Sequence, residues 1–463
     1  MAARARTNLL TGVIEGFYGK PWSALERLQL LDWMADWALD TYVYAPKDDL
    51  HHRTLWREPY PAADAADLGA LIRACGASGI RFVFALGPGL DLRYSDPADL
   101  TRLEARFDQM HAIGCRDFAL LFDDIPDRLA PPDAARFASL AAAHSHVANA
   151  LFHWARARSL RGRFFVCPTP YCGRMAAREV GGRDYLATLG RELAPEIDVF
   201  WTGPEIVSAA ITVDHVREIQ ALLRRQPVIW DNLHANDYDG RRFYCGPYAG
   251  RPPELQDEVR GLLVNPNCEF PLNYVPLRTL AEFARGASTW DARAAYLAAM
   301  REWLPAFASA GQPIEYEDLV LLGDCFYLPH QDGDEAEALC QSAGRLLVGE
   351  PSAPRELAGF RHTARRLQAT CTRLAELRDR PLFHALSRRT WDLREELDLL
   401  LRGLDALAKG TTMPRSFASD FHLPGTYRGG MIARLQRMLD PLPDGSFVPA
   451  QLSARSPAHQ SRE

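Results

Sequence analysis

The chain has 463 residues, 47% of them hydrophobic and 24% charged, with a formal net charge of −6. That length exceeds one ordinary core of about 100–200 residues, so a large domain and a smaller one are expected. The mild acidity offers no electrostatic footprint for nucleic acid, and no apolar run reaches the ~18 residues that mark a membrane span.

The N-terminal MAARARTNLL has two arginines but no apolar signal core, which makes a cytoplasmic location the expectation. Short β-rich runs then alternate with segments of helical period. The predicted strands are 8–16, 41–46, 80–87, 118–124, 163–168, 198–203, 227–232 and 268–274. Between the first two lies SALERLQLLDWMADWAL (23–39), whose Ser23 and Glu26 fit a capping box. Eight β/α repeats over residues 8–290 predict a (β/α)8 TIM-type barrel. An open doubly wound sheet is the alternative, weakened because no GxGxxG follows the first strand. The predicted strands end in Glu15, Lys47 with Asp48, Gly87, Asp123 with Asp124, Tyr171, Thr202, Asp231 with Asn232, and Asn273. In a barrel such ends gather on one face, where the active sites of this fold lie.

From residue 291 strand-like runs give way to Leu, Ala, Arg and Glu. Leu393, Leu397, Leu400, Leu404 and Leu407 form one seam, and Leu357, Phe360, Ala364, Leu367, Cys371 and Leu374 another. Residues 291–445 read as an all-α helical bundle domain whose seams pack within the chain, with a homodimer through this domain as the second reading. Residues 446–463, ending in QLSARSPAHQSRE, read as a disordered tail. Nine cysteines, odd in number and scattered, read as free thiols in a reducing compartment rather than a disulfide framework.

The apolar run LLFDDIPDR (120–128) ends in two adjacent carboxylates, Asp123 and Asp124. Neighbouring like charges disfavour joint ionisation, so one carboxyl is suited to give a proton while the other stays charged. That division fits glycoside hydrolysis. Neighbours in sequence are awkward for two carboxyls on opposite faces of a sugar, however. They suit substrate assistance better, in which the sugar's own acetamido oxygen attacks. A helix cap with a turn explains the same residues structurally. DDIPD also matches the DDxxD pattern of Mg²⁺–diphosphate sites, but Pro126 and the preceding strand argue against the helix such a site needs. The stretch PVIWDNLHANDYDGRRFYCGPYAGR (227–251) is rich in groups that grip hydroxyls and stack on a pyranose. Asp231, His234 and Asp237 are the competing metal ligands there, without a recognised ligand spacing. His144 and His146 read as helix-packing or solvated residues. GFYGKPW lacks the ending of a phosphate loop, and no G-x-S-x-G elbow is present.

Taken together, GVIEGFYGKPW, YAPKDDLHHR, LLFDDIP, CPTPYCG, FWTGPEIVS, WDNLHANDYD and NPNCEF, in that order, resemble family 84 of the glycoside hydrolases, the O-GlcNAcase-like β-N-acetylglucosaminidases. The resemblance covers roughly residues 8–290. It implies a catalytic barrel followed by a helical domain, and a retaining, substrate-assisted mechanism through an oxazoline, with no metal and no cofactor. It implies that Asp123 orients the acetamido N–H and that Asp124 is the general acid, then base. It further places Gly16, Lys47, Asn232, Asp237 and Asn265 on the sugar, and Cys167, Tyr171, Thr202 and Trp230 around its N-acetyl group. Pro170 and Pro271–Leu272 depart from the family pattern, which bears on leaving-group preference. The implied substrate is a GlcNAc-bearing glycoprotein or glycoside. A non-hydrolytic glycan-binding protein of the same fold is the alternative, and the intact Asp123–Asp124 pair speaks against it.

Overall fold

Residues 9–286, 289–348, 353–411, 413, 425–444 and 446–450 are described in a computed structural model of the chain. Eight parallel strands close on themselves: β1 (Leu10–Glu15), β2 (Thr41–Tyr44), β3 (Arg81–Leu86), β4 (Asp117–Leu121), β5 (Phe164–Cys167), β6 (Asp198–Trp201), β7 (Val228–Asp231) and β8 (Gly261–Val264). Closure comes from β1 pairing with β8, Leu10 opposite Gly261 through Val13 opposite Val264, which rules out the open-sheet alternative. Strand side chains alternate between two faces. Leu10, Ile14, Val43, Val83, Ala85, Ala119, Leu121, Phe165, Phe200, Val228 and Leu263 fill the barrel. The intervening residues face the helices: Phe118 stacks on Phe107 at 4.8 Å and meets Trp154 edge-on. The first helix, Ala24–Trp37, starts with the predicted capping box.

Six strands fall within their predicted runs, β4 begins one residue before its run, and the eighth is misplaced. Residues 268–274 hold a 3-10 turn, Phe270–Asn273, which leads into the helix Tyr274–Ala284. Pro271 has no N–H to give a strand ladder. The Asn273 amide instead donates to the carbonyls of Asn267, Glu269 and Phe270. The true β8 is GLLV, only four residues long, and Asn265 rather than Asn273 follows it.

The chain divides into two units, residues 1–238 with 247–295, and residues 239–246 with 296–463. The barrel belongs to the first. In the second, the segment 239–246 bonds to residues far along the chain: the amides of Cys245 and Gly246 donate to the carbonyls of Phe326 and Tyr327 at 2.9 and 2.7 Å. Phe243 stacks on Phe326 at 4.3 Å. The helix Ala353–Arg373 packs on both Asp334–Val348 and Arg380–Ala408. Leu393, Leu397, Leu400 and Leu404 are buried, as are Phe360, Ala364, Leu367, Cys371 and Leu374, so the predicted seams do pack within the chain. Leu407 is 40% exposed and lies off its seam. One hairpin interrupts the helical texture: β9 (Leu439–Pro441) pairs antiparallel with β10 (Phe447–Pro449). The predicted tail therefore begins with ordered strand residues, and its remainder, 451–463, lies outside the described residues.

Beneath the β7 end, Asp231 accepts two hydrogen bonds from Arg251, Nε at 2.7 Å and Nη2 at 2.6 Å, and both side chains are fully buried. Removing one partner of a buried pair strands the other charge. Arg251→Ala is predicted to lower stability by about 3–5 kcal/mol, measured by denaturant unfolding. A loss below about 1 kcal/mol would mean that water or another cation replaces the guanidinium.

Candidate active site

Three residues past β4 the backbone turns sharply. Asp124 adopts φ 49°, a left-handed conformation that a non-glycine residue holds only under constraint. The turn is fixed from β5: Phe122 N–H donates to the Cys167 carbonyl at 2.9 Å, and the Thr169 hydroxyl donates to the Phe122 carbonyl at 2.8 Å. The reversal at Asp124 sends the two adjacent carboxylates to different partners. Asp123 Oδ2 accepts from Lys47 Nζ at 2.5 Å, in a pair almost wholly buried. Asp124 Oδ1 accepts from the Tyr171 hydroxyl and Oδ2 from the Tyr18 hydroxyl, each at 2.9 Å.

The other strand tips build a wall around Trp230. Its indole N–H donates to Asn232 Oδ1 at 3.1 Å, and the Asn265 amide donates to the same oxygen at 3.0 Å. The Asn232 amide donates to the Ile206 carbonyl at 2.8 Å. Gly16 lies so near the Trp230 ring that an added Cβ would come within 2.4 Å of it. The Lys47 ammonium sits 5.6 Å from the ring centroid. Cys167 and Tyr171 share the buried cluster that contains Trp230. Thr202 N–H and its hydroxyl both donate to the Tyr171 carbonyl. Asp237 Oδ2 accepts the Tyr18 N–H at 2.9 Å. Among the described residues, Asp123 Oδ1 and Asn265 Oδ1 are buried and have no protein partner, so both remain available to a ligand.

Burial by itself would raise the Asp123 carboxyl, but the charge and hydrogen bond of Lys47 outweigh it and hold the group below the usual carboxylate range. Asp237 goes the other way, raised mainly by burial. Burial also pushes the Cys167 thiol well above its ordinary value, so it stays neutral. One carboxylate is thus kept charged by an ammonium, while the next is flanked by two phenols.

Not every predicted tip residue joins this group. Glu15 faces the helix layer, where it accepts from Arg27 Nε at 2.9 Å and Nη2 at 2.7 Å and from the Trp22 N–H at 3.0 Å. Asp231 is held by Arg251, so the trio of Asp231, His234 and Asp237 is not gathered about one point. Asn273 serves the 3-10 turn. Trp201 packs outside the barrel, its N–H donating to His215 Nε2 at 3.0 Å. Four residues were missed by sequence reasoning: Tyr18, His52, Arg53 and Thr169. All four lie inside the runs GFYGKPW, YAPKDDLHHR and CPTPYCG. Their place inside these runs, two to six residues from Gly16, Lys47 and Tyr171, was the available signal.

Residues 11–313 match the family model of β-N-acetylglucosaminidase. The protein O-GlcNAcases of Rattus norvegicus and Mus musculus are each 44% identical to this chain over 280 residues, 60% of this chain and 30% of theirs. The chain thus spans less than a third of the length of these curated relatives. The structure of an O-GlcNAc hydrolase of Thermobaculum terrenum, an aspartate-to-asparagine variant, is similar with a TM-score of 0.77 at 27% identity, covering 92% of this chain and 87% of that one.

Two buried histidines lie near the Asp123 turn. His144 stacks on Phe122 at 3.9 Å and bonds through its two ring nitrogens to the Tyr185 and Tyr94 hydroxyls. Burial lowers it to about 3. His52, bonded through Nδ1 to the Ala85 carbonyl, is lowered to about 4 by burial and then by the Lys47 charge. A histidine whose folded pKa lies below its unfolded value of about 6.5 contributes fully above pH 6.5. That contribution is lost as the pH falls toward the folded value. The melting temperature is therefore predicted to drop steadily from pH 6.5 to pH 4. His144→Gln should flatten this acid limb while lowering stability at pH 7 by about 1–3 kcal/mol. An unchanged acid limb in that variant would assign the loss to other groups.

Proposed function

The chain belongs to the β-N-acetylglucosaminidase family, family 84 of the glycoside hydrolases, and on that premise we propose that it is a retaining exo-β-N-acetylglucosaminidase working by substrate assistance. The observation that carries this reading is the divided environment of adjacent residues: Asp123 on Lys47, Asp124 between Tyr18 and Tyr171. In the first step the substrate's acetamido oxygen attacks the anomeric carbon. The free Oδ1 of Asp123 accepts the acetamide N–H and offsets the positive charge that develops on the ring formed. Asp124 gives its proton to the glycosidic oxygen as the C–O bond breaks, leaving an oxazoline. In the second step Asp124 takes a proton from water, which opens the oxazoline from the other face, so the β configuration is retained.

Around that centre, Gly16, Lys47, Asn232, Asp237 and Asn265 would contact the sugar hydroxyls. Cys167, Tyr171, Thr202 and Trp230 would enclose the N-acetyl group. The neutral Cys167 thiol and the Trp230 ring supply an apolar wall suited to a methyl group. The substrate class we propose is O-linked GlcNAc on Ser or Thr of proteins, or a related GlcNAc glycoside, taken without a metal or organic cofactor. A cytoplasmic setting is supported by nine cysteines that are all unbridged, eight of them buried. No helix among the described residues is long and apolar enough to cross a membrane.

The test compares release of nitrophenol from the aryl β-N-acetylglucosaminide and from the aryl β-glucoside. Fast cleavage of the first alone is expected; equal cleavage would require a nucleophile borne by the protein and sink acetamide participation. Asp124→Asn should lower turnover by about 10²- to 10⁴-fold while still binding a GlcNAc glycopeptide. Undiminished turnover in that variant would remove Asp124 from proton transfer. Absence of any cleavage by the unaltered protein would favour the glycan-binding reading.

A further inference from the structure

Arg53 makes no hydrogen bond to Asp123, which it reaches only through its charge, and the catalytic scheme above makes no use of it. It nevertheless holds Asp124 by two routes. Its Nη2 donates to the Asp124 main-chain carbonyl at 2.6 Å, on the residue that carries the left-handed φ of 49°. Its Nη1 donates to the Tyr18 hydroxyl oxygen at 2.5 Å. The guanidinium also lies 5.5 Å from the Tyr18 ring centroid. A phenol has a single proton and donates once. With Arg53 supplying the bond that the Tyr18 oxygen accepts, the Tyr18 proton is directed at Asp124 Oδ2, 2.9 Å away. Tyr18 is pinned at its other end, since its N–H rests on Asp237.

We infer that Arg53 is a positioning residue for the acid: through Tyr18 and through the Asp124 carbonyl it fixes which face of the Asp124 carboxyl meets the glycosidic oxygen. The inference rests on the reading of Asp124 as the general acid. The chemistry places the effect on one partial step. A carboxyl oxygen that accepts the Tyr18 hydrogen bond on one lone-pair side can carry its own proton only on the other. That side must face the departing oxygen while the C–O bond lengthens. A rotated carboxyl would still bind sugar but would deliver the proton along the wrong line. Misplacement by about 1 Å can cost about 10²-fold in rate. Leaving groups that depart as stable anions need no proton, so their first step, which kcat/KM reports, should not register the change.

The experiment measures kcat and KM for two β-N-acetylglucosaminides, one with a 2,4-dinitrophenyl leaving group and one with an alkyl or seryl leaving group. The unaltered protein, Arg53→Lys, Arg53→Met, Tyr18→Phe and the double variant Arg53→Met/Tyr18→Phe are compared. For the alkyl or seryl substrate, Arg53→Met should lower kcat by about 10- to 100-fold with KM changed by less than about 3-fold. For the dinitrophenyl substrate kcat/KM should change by less than about 3-fold. Arg53→Lys should recover part of the loss, and the double variant should cost less than the product of the two single losses. Equal loss of kcat/KM on both substrates, or a loss on the alkyl or seryl substrate carried by KM, would overturn the positioning role and make Arg53 a structural or binding residue. No loss on either would overturn it as well. Asp124→Asn, run beside them, separates the two readings: if it too is insensitive to the leaving group, the assignment of the acid fails, not the action of Arg53 upon it.

Discussion

A carboxylate and an ammonium meet at the mouth of the barrel, where Asp123 and Lys47 approach to 2.5 Å with almost no water around them. Burying either alone would be costly. Paired, they give a fixed negative oxygen whose partner comes from a different β/α unit, so strands β2 and β4 must be in register for the charge to be tolerated. Much of the local architecture answers to that demand. Thr169 and the Cys167 carbonyl brace the turn from β5, His144 supports Phe122 from the helix layer, and His52 stays neutral beside the pair.

The same constraint explains why adjacent carboxylates are workable. Asp123 is neutralised by a neighbour from another strand, and the left-handed turn at Asp124 takes the second charge elsewhere, to two phenols. Backbone geometry separates the roles over a single peptide bond. That separation is what the proposed reaction, whose nucleophile arrives with the substrate, would use.

Seven strands were legible because β-branched and aromatic runs sit between helical segments. β8 was not, because GLLV is four residues with no alternation, and the aromatic, proline-containing CEFPLNY beside it looked more strand-like. The family motifs named the residues of the candidate site, but not the direction each side chain faces. Glu15 and Asp231 were read as tip residues of the cleft. Strand alternation places them on the outer face, one residue short of Gly16 and Asn232. Tyr18, Arg53 and Thr169 escaped notice because their partners lie 35 to 106 residues away, in turns that only the closed barrel brings together. The unity of residues 239–246 with the second unit was invisible for the same reason.

That segment has a bearing on how the protein is made. Residues 239–246 leave the ribosome between β7 and β8, yet the Phe326 carbonyl that Cys245 contacts is 81 residues further on. At about 5–20 residues per second, Phe243 and Cys245 wait roughly 4–16 s for their partners to be synthesised. During that interval the nascent chain lacks the Phe326 ring and carbonyl on which Phe243 and Cys245 rest. A fragment ending at residue 295 would lack these partners altogether.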